Sequence, residues 1–139
     1  MRRWITTLLT MGVLALPVAQ QATAAVKTTK KVVTRKFTGA AYQADRWGPL
    51  QVTITVRKTT TVTAGKRKVT RKITAVSVPT YPNHTDRSVY ISSQALPILK
   101  SEALQAHMSA NINLVSGATY TSDAFAQSLQ SAILKAKHA

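Results

Sequence analysis

Seven consecutive residues, Leu50-Gln51-Val52-Thr53-Ile54-Thr55-Val56, alternate strictly between apolar and polar. Side chains of a strand point alternately to its two faces, so this pattern specifies a half-buried strand with one wet face. Gly48-Pro49 punctuates a turn ahead of it. Beyond it, Arg57, Lys58, Lys66, Arg67, Lys68, Arg71 and Lys72 crowd around Ala64-Gly65. This reads as a long hairpin with a cationic tip. The return strand spans about Val69–Val78, and its alternation slips at Ala75-Val76 as it would at a bulge. Lys and Arg on a strand edge also discourage edge-to-edge aggregation, so the charge run has a structural reading beside a binding one.

Residues 25–37 are rich in Thr, Val and Lys and read as a flexible, basic lead-in with the makings of a strand. Within it, Val33-Thr34-Arg35-Lys36-Phe37-Thr38 echoes Val69-Thr70-Arg71-Lys72-Ile73-Thr74, as two similar strands of one sheet would. After the loop residues Tyr81-Pro82-Asn83-His84, Ile91, Ala95, Leu99 and Ala103 recur every four residues. That spacing predicts helix over about Ser88–His107, with Pro97 either starting a second helix or kinking the first. Phe125, Leu129, Ala132, Ile133 and Ala136 form the apolar face of a last helix. Thr121 or Ser122 is suited to cap its start, Asp123 to lie in its first turn, and Lys135, Lys137 and His138 to complement its far end. Strands first and helices after them predict an α+β fold: an antiparallel sheet with a long basic hairpin, followed by helices packed on one face.

The N-terminus runs basic (Met1-Arg2-Arg3-Trp4), mostly apolar (Ile5 to Ala19), then small (Ala22-Thr23-Ala24). That is the order of a secretory signal peptide, here residues 1–24. The apolar stretch is short for a membrane span and contains Pro17; an uncleaved anchor is the alternative. The expected organisation is a signal peptide at 1–24, a basic lead-in at 25–37 and one domain at 38–139, with an extracytoplasmic location, secreted or associated with the cell envelope. No cysteine is present, so there is no disulfide, thiolate metal site or lipid-modified Cys.

Against 4 acidic residues stand 19 Lys and Arg, a formal charge of +15. Such an excess attracts polyanions. For an exported protein these are an anionic envelope surface, polymer or lipid. Nucleic acid is not expected, because no aromatic residues interleave the basic hairpin. His84, His107 and His138 lack ligand spacing, so no metal site is expected. Asp45, Asp86, Glu102 and Asp123 are too scattered to suggest a paired acid and base, and Ser116 has no evident His/Asp partners, so no catalytic residue is assigned.

One stretch remains, Val115-Ser116-Gly117-Ala118-Thr119-Tyr120-Thr121-Ser122, immediately before the last helical pattern. Helix N-termini offer free N–H groups to phosphate, Gly117 allows close backbone approach, and Ser116, Thr119, Thr121 and Ser122 carry hydroxyls. The stretch is a candidate phosphate seat; an ordinary capped helix start is the alternative.

The string Ser116-Gly117-Ala118-Thr119 followed by Tyr120-Thr121-Ser122 resembles the attachment motif of the FMN-binding domain family. That family includes the C subunit of the sodium-pumping NADH–quinone reductase and the G subunit of Rnf complexes. Tyr42, Gly48-Pro49-Leu50-Gln51-Val52, Tyr81-Pro82, Arg87-Ser88 and Ala95-Leu96-Pro97-Ile98-Leu99 extend the likeness over roughly Thr38–Leu134. The resemblance implies FMN as cofactor, held at Ser116, Gly117, Ala118, Thr119, Tyr120, Thr121 and Ser122. It also implies a phosphoester to Thr119 made by a separate flavin transferase with FAD as donor. Two positions depart from the family's pattern. Asn113 stands six residues before Thr119, where the family usually has Asp, and Ser92 stands where it tends to have Asn. Tyr42, Trp47 and Tyr81 are candidates to stack on the isoalloxazine ring, with core or turn packing as their other reading.

The expected function is an exported flavoprotein in extracytoplasmic electron transfer, an electron-carrying domain more than a stand-alone enzyme, with a membrane-bound electron donor or acceptor. The alternative is a non-redox cationic envelope protein that binds anionic polymer or lipid.

Overall fold

The alternating segment becomes the middle strand of the sheet. A computed structural model describes residues 26–139; the expected signal peptide lies outside them. In chain order the elements are β1 (Thr28–Thr38), β2 (Tyr42–Gln43), a 3-10 turn at Asp45–Trp47, β3 (Pro49–Thr63), β4 (Lys66–Thr80), α1 (Asp86–Gln105) and α2 (Thr119–Lys137). All pairing is antiparallel. β1 runs along β3 from Thr28 opposite Thr63 to Thr38 opposite Thr53. β2 re-pairs with the start of β3 at Leu50 and Pro49. β4 pairs with β3 along the hairpin. Helices following an antiparallel sheet give the α+β fold that the sequence predicts.

The lead-in takes its strand alternative as β1. β1 and β4 flank β3 as two similar strands, with their matching residues offset by two positions: Arg35 lies opposite Val56 and its counterpart Arg71 opposite Lys58. The hairpin is longer than the apolar alternation suggests, because the Thr-rich continuation is β-branched and favours extended backbone. Its two-residue loop, Ala64-Gly65, has φ of 51° and 78°, the doubly left-handed geometry of a type I′ turn. The slip at Ala75-Val76 is a bulge: Thr55 faces Ala75 and Val56 faces Ile73, leaving Thr74 extra. A second irregularity sits at Gln51–Thr53.

Leu50, Val52, Ile54 and Val56 are the buried face of β3, and with Leu99, Phe125, Leu129 and Ile133 from the two helices they make one core. Each fully buried side chain of this size contributes roughly 1.5–3 kcal/mol. α2 lies close enough on β1 that a Cβ at Gly39 would overlap the Ser128 main-chain oxygen. The Ser128 hydroxyl accepts the Val52 N–H at 2.8 Å, and the Ser131 hydroxyl accepts that of Ala40 at 3.0 Å.

α1 is capped by Thr85 and Ser88 in a reciprocal capping box. It runs unbroken through Pro97, so no second helix starts there. The proline is on the exposed side, where water can serve the Ser93 carbonyl left without its usual donor. Among the described residues no helix is long and apolar enough to cross a membrane.

A strand the length of β3 reaches about 50 Å, and α2 only about 28 Å. The hairpin therefore outgrows its helix. Beyond Val56 the same sheet face carries Lys58 and Thr60, no longer fully buried. With β1 alongside, this overhang is a three-stranded cationic arm.

Candidate functional site

The small-residue stretch is a tight turn feeding straight into α2. Ala118 N–H donates to Val115 O at 3.0 Å, closing a turn around Ser116 and Gly117. Gly117 has φ of 78° at the third turn position, where a left-handed conformation calls for glycine. A Cβ there would meet nothing within 4 Å, so the space in front is open. Ser116, Gly117, Thr119 and Tyr120 are exposed, whereas Ala118, Thr121 and Ser122 are buried.

The structure corrects the expected cap. α2 starts at Thr119 with Ala118 as N-cap, no side chain caps it, and no acid lies in its first turn, so Asp123 falls beyond it. The reason is where the Ser122 hydroxyl goes. It accepts the Val115 N–H at 3.0 Å and donates to Ala118 O at 2.7 Å, fastening the turn onto the helix instead of capping. The first intrahelical bond at this end is Ser122 N–H to Ala118 O, 2.9 Å. The N–H groups of Thr119, Tyr120 and Thr121 precede it and have no carbonyl one turn back to serve.

A further polar group points the same way. Thr121 is 1% exposed, and its Oγ1 is buried without a hydrogen-bond partner. Buried hydroxyls are ordinarily satisfied, since an unpaired one costs about 1–3 kcal/mol. An unpaired hydroxyl beside uncapped helical N–H groups and an exposed Thr119 hydroxyl is a donor set that fits an oxyanion such as the phosphate of FMN. The fit divides the sequence-predicted residues by task. Gly117 and Ala118 shape the turn and Ser122 holds it, while Ser116, Thr119 and Tyr120 are exposed and Thr121 is buried with its hydroxyl unpaired.

Asn113 and Ser92 take up different positions. Asn113 Nδ2 and its main-chain N–H both reach Glu102 Oε2, at 3.3 and 3.4 Å, tying the segment before the turn to α1. Glu102 is thus a neighbour of the site that no sequence spacing announces. Ser92 is buried and donates to Pro82 O at 2.7 Å, fixing the Tyr81-Pro82 loop on α1.

Of the three candidate stacking aromatics, Tyr81 is 41% exposed, while Tyr42 and Trp47 pack partly buried against the core. Arg46 lies 5.0 Å over the Trp47 ring. Tyr42 lines a wide, open groove with Ala126, Gln127, Gln130 and Leu134 of α2. Ala126 and Gln127 lie seven residues beyond Thr119 and Tyr120, on the same helical face two turns, or about 10 Å, along. Among the described residues no group of three or more His, Cys, Asp or Glu is placed to hold a metal.

With that geometry in hand, comparison with family models finds one match, described as FMN-binding domain, over residues 45–134. It takes in β3, β4, α1, the Val115–Ala118 turn and most of α2. Comparison with curated proteins finds no match.

Proposed function

The chain belongs to the FMN-binding domain family and its cofactor is FMN, and from this we propose that it is an exported flavoprotein that carries electrons outside the cytoplasm with its flavin esterified to Thr119. The observation that carries the reading is the start of α2: an exposed Thr119 hydroxyl beside uncapped N–H groups and the unpaired Thr121 hydroxyl. In the attachment step Thr119 Oγ1 attacks the FMN-side phosphorus of FAD. The Thr O–P bond forms, the pyrophosphate P–O bond breaks, AMP departs and the hydroxyl proton passes to a base of a flavin transferase. The phosphodiester left behind keeps one negative charge, which the α2 N-terminus favours.

FMN supplies the redox chemistry; the protein supplies binding, orientation and docking. A covalent tether suits an exported protein, which cannot recover a lost cofactor from cytoplasmic pools. The open groove beside Tyr42 lies along the same face of α2 and would let the isoalloxazine ring lie against an aromatic side chain. A membrane-bound donor or acceptor is the natural electron partner.

The test is co-expression with a flavin transferase in an exporting host, followed by denaturation and peptide mass analysis. A flavin-bearing peptide containing Thr119, absent from Thr119→Ala, is the expected result. Flavin that leaves entirely on denaturation from wild type would overturn the esterification, and a protein that never enters the export pathway would overturn the location.

A further inference from the structure

The cationic arm takes no part in the flavin site. Thr119 opens α2, and Ala136 and Ala139 at its other end line a cavity of about 220 Å³ at the root of the arm. Seventeen helical residues, roughly 25 Å, separate the two. The rest of this groove comes from the arm. Lys31, Arg35, Lys58, Arg67 and Arg71 line it over an apolar floor that includes Phe37 and Val56, and none of the four acids is among the lining residues.

The cations are only partly served from within. Lys58 Nζ donates to Ala139 O at 2.9 Å and Arg71 Nη2 to the same oxygen at 3.4 Å. These bonds use one of the three donors of a lysine and one of the five of an arginine. Arg71 Nε is buried with no partner. A groove below the usual size of small-molecule pockets, with spare cationic donors, matches a single oxyanion better than a whole cofactor.

The other face of the arm decides what carries that oxyanion. Lys30, Lys36, Arg57, Lys68 and Lys72 alternate with the groove residues and point away from it, and Lys66 adds charge at the tip. A planar bilayer meets one face of a sheet at a time and would leave the opposite row unneutralised. A stiff duplex, with a persistence length of about 50 nm, cannot wind around a rod this narrow. A flexible single-chain polyanion can pass over both faces.

We propose that the three-stranded arm binds a flexible linear phosphodiester polymer, with one phosphate seated among Lys58, Arg67 and Arg71 and neighbouring phosphates following the outer lysines. The arm and the α2 N-terminus are independent sites, so loss of either leaves the other standing.

The test is titration of the purified protein with poly(glycerol phosphate), with phosphatidylglycerol vesicles and with duplex DNA, each at matched phosphate concentration, and repetition across a salt series. Tightest binding to the polymer, with log affinity falling linearly against log salt, is expected. The double variant Lys58→Ala/Arg71→Ala should lose about tenfold or more in affinity at low salt. Arg87→Gln/Lys100→Gln, which removes the same charge from α1, should lose less than about threefold. Flavin content should be equal in all three proteins. Tighter binding to vesicles or duplex, or equal losses in the two double variants, would overturn the proposal.

Discussion

Ser128 reaches from the middle of α2 to accept the main-chain N–H of Val52 at 2.8 Å, inside the core. It supplies the bond that β3 lacks where the chain leaves β1, and Gly39 is the residue that allows the helix so close. Ser128→Ala leaves a buried N–H unpaired and should destabilise the fold by about 1–3 kcal/mol. Gly39→Ala drives a methyl into backbone and should lower stability by roughly 2 kcal/mol or more. Urea unfolding measures both. Below the transition, flavin content should match wild type, because neither residue lies near Thr119.

The central strand, the bulge and the last helix were legible because each is a local pattern: seven alternating residues, a slip in that alternation, an apolar stripe at helical spacing. Of the two readings of Pro97, the second helix is not found, because a proline's harm depends on which way it faces, and only packing decides that. The turn motif was legible as a string, but the division of labour within it was not. Ser122 and Thr121 are adjacent hydroxyl residues, and only the path of Val115 makes one a fastener and leaves the other unpaired. Glu102 beside Asn113 and the convergence of Lys31 and Arg35 with the hairpin cations are products of tertiary folding, hinted at in sequence only by the echo between β1 and β4.

Thr121→Val separates folding from binding at the site. The substitution keeps the shape of the side chain and removes a buried hydroxyl that has no partner, so the flavin-free protein should gain about 1 kcal/mol in stability. If that hydroxyl serves the phosphate, the same variant should bind added FMN several-fold more weakly. Thermal unfolding of the flavin-free protein and fluorescence titration with FMN read the two effects, and their opposite signs are the expected outcome.

Tyr42 should report on the ring end of the flavin. Tyr42→Phe keeps an aromatic face and should leave the flavin absorption spectrum as in wild type. Tyr42→Leu keeps apolar contact with the core but removes the ring, so emission of the bound flavin should rise as stacking is lost. Unchanged emission in Tyr42→Leu would place the isoalloxazine elsewhere than the groove along α2.

Asn113 and Glu102 make the last prediction a paired one. Asn113→Asp restores the acid that the family usually carries six residues before the attachment threonine, but it replaces an amide donor with a second carboxylate facing Glu102 Oε2. Like charges at an exposed site should cost about 1 kcal/mol or less and should loosen the segment leading to Ser116. Asn113→Asp alone should therefore lose some stability at neutral pH, and adding Glu102→Gln should recover it by restoring a donor opposite the new carboxylate. If the missing charge limits flavin transfer, both the single and the double variant will carry more covalent flavin than wild type. If the hold on the segment limits it, the single variant will carry less and the double variant will return to the wild-type level. The flavin-to-protein ratio after denaturation distinguishes the two.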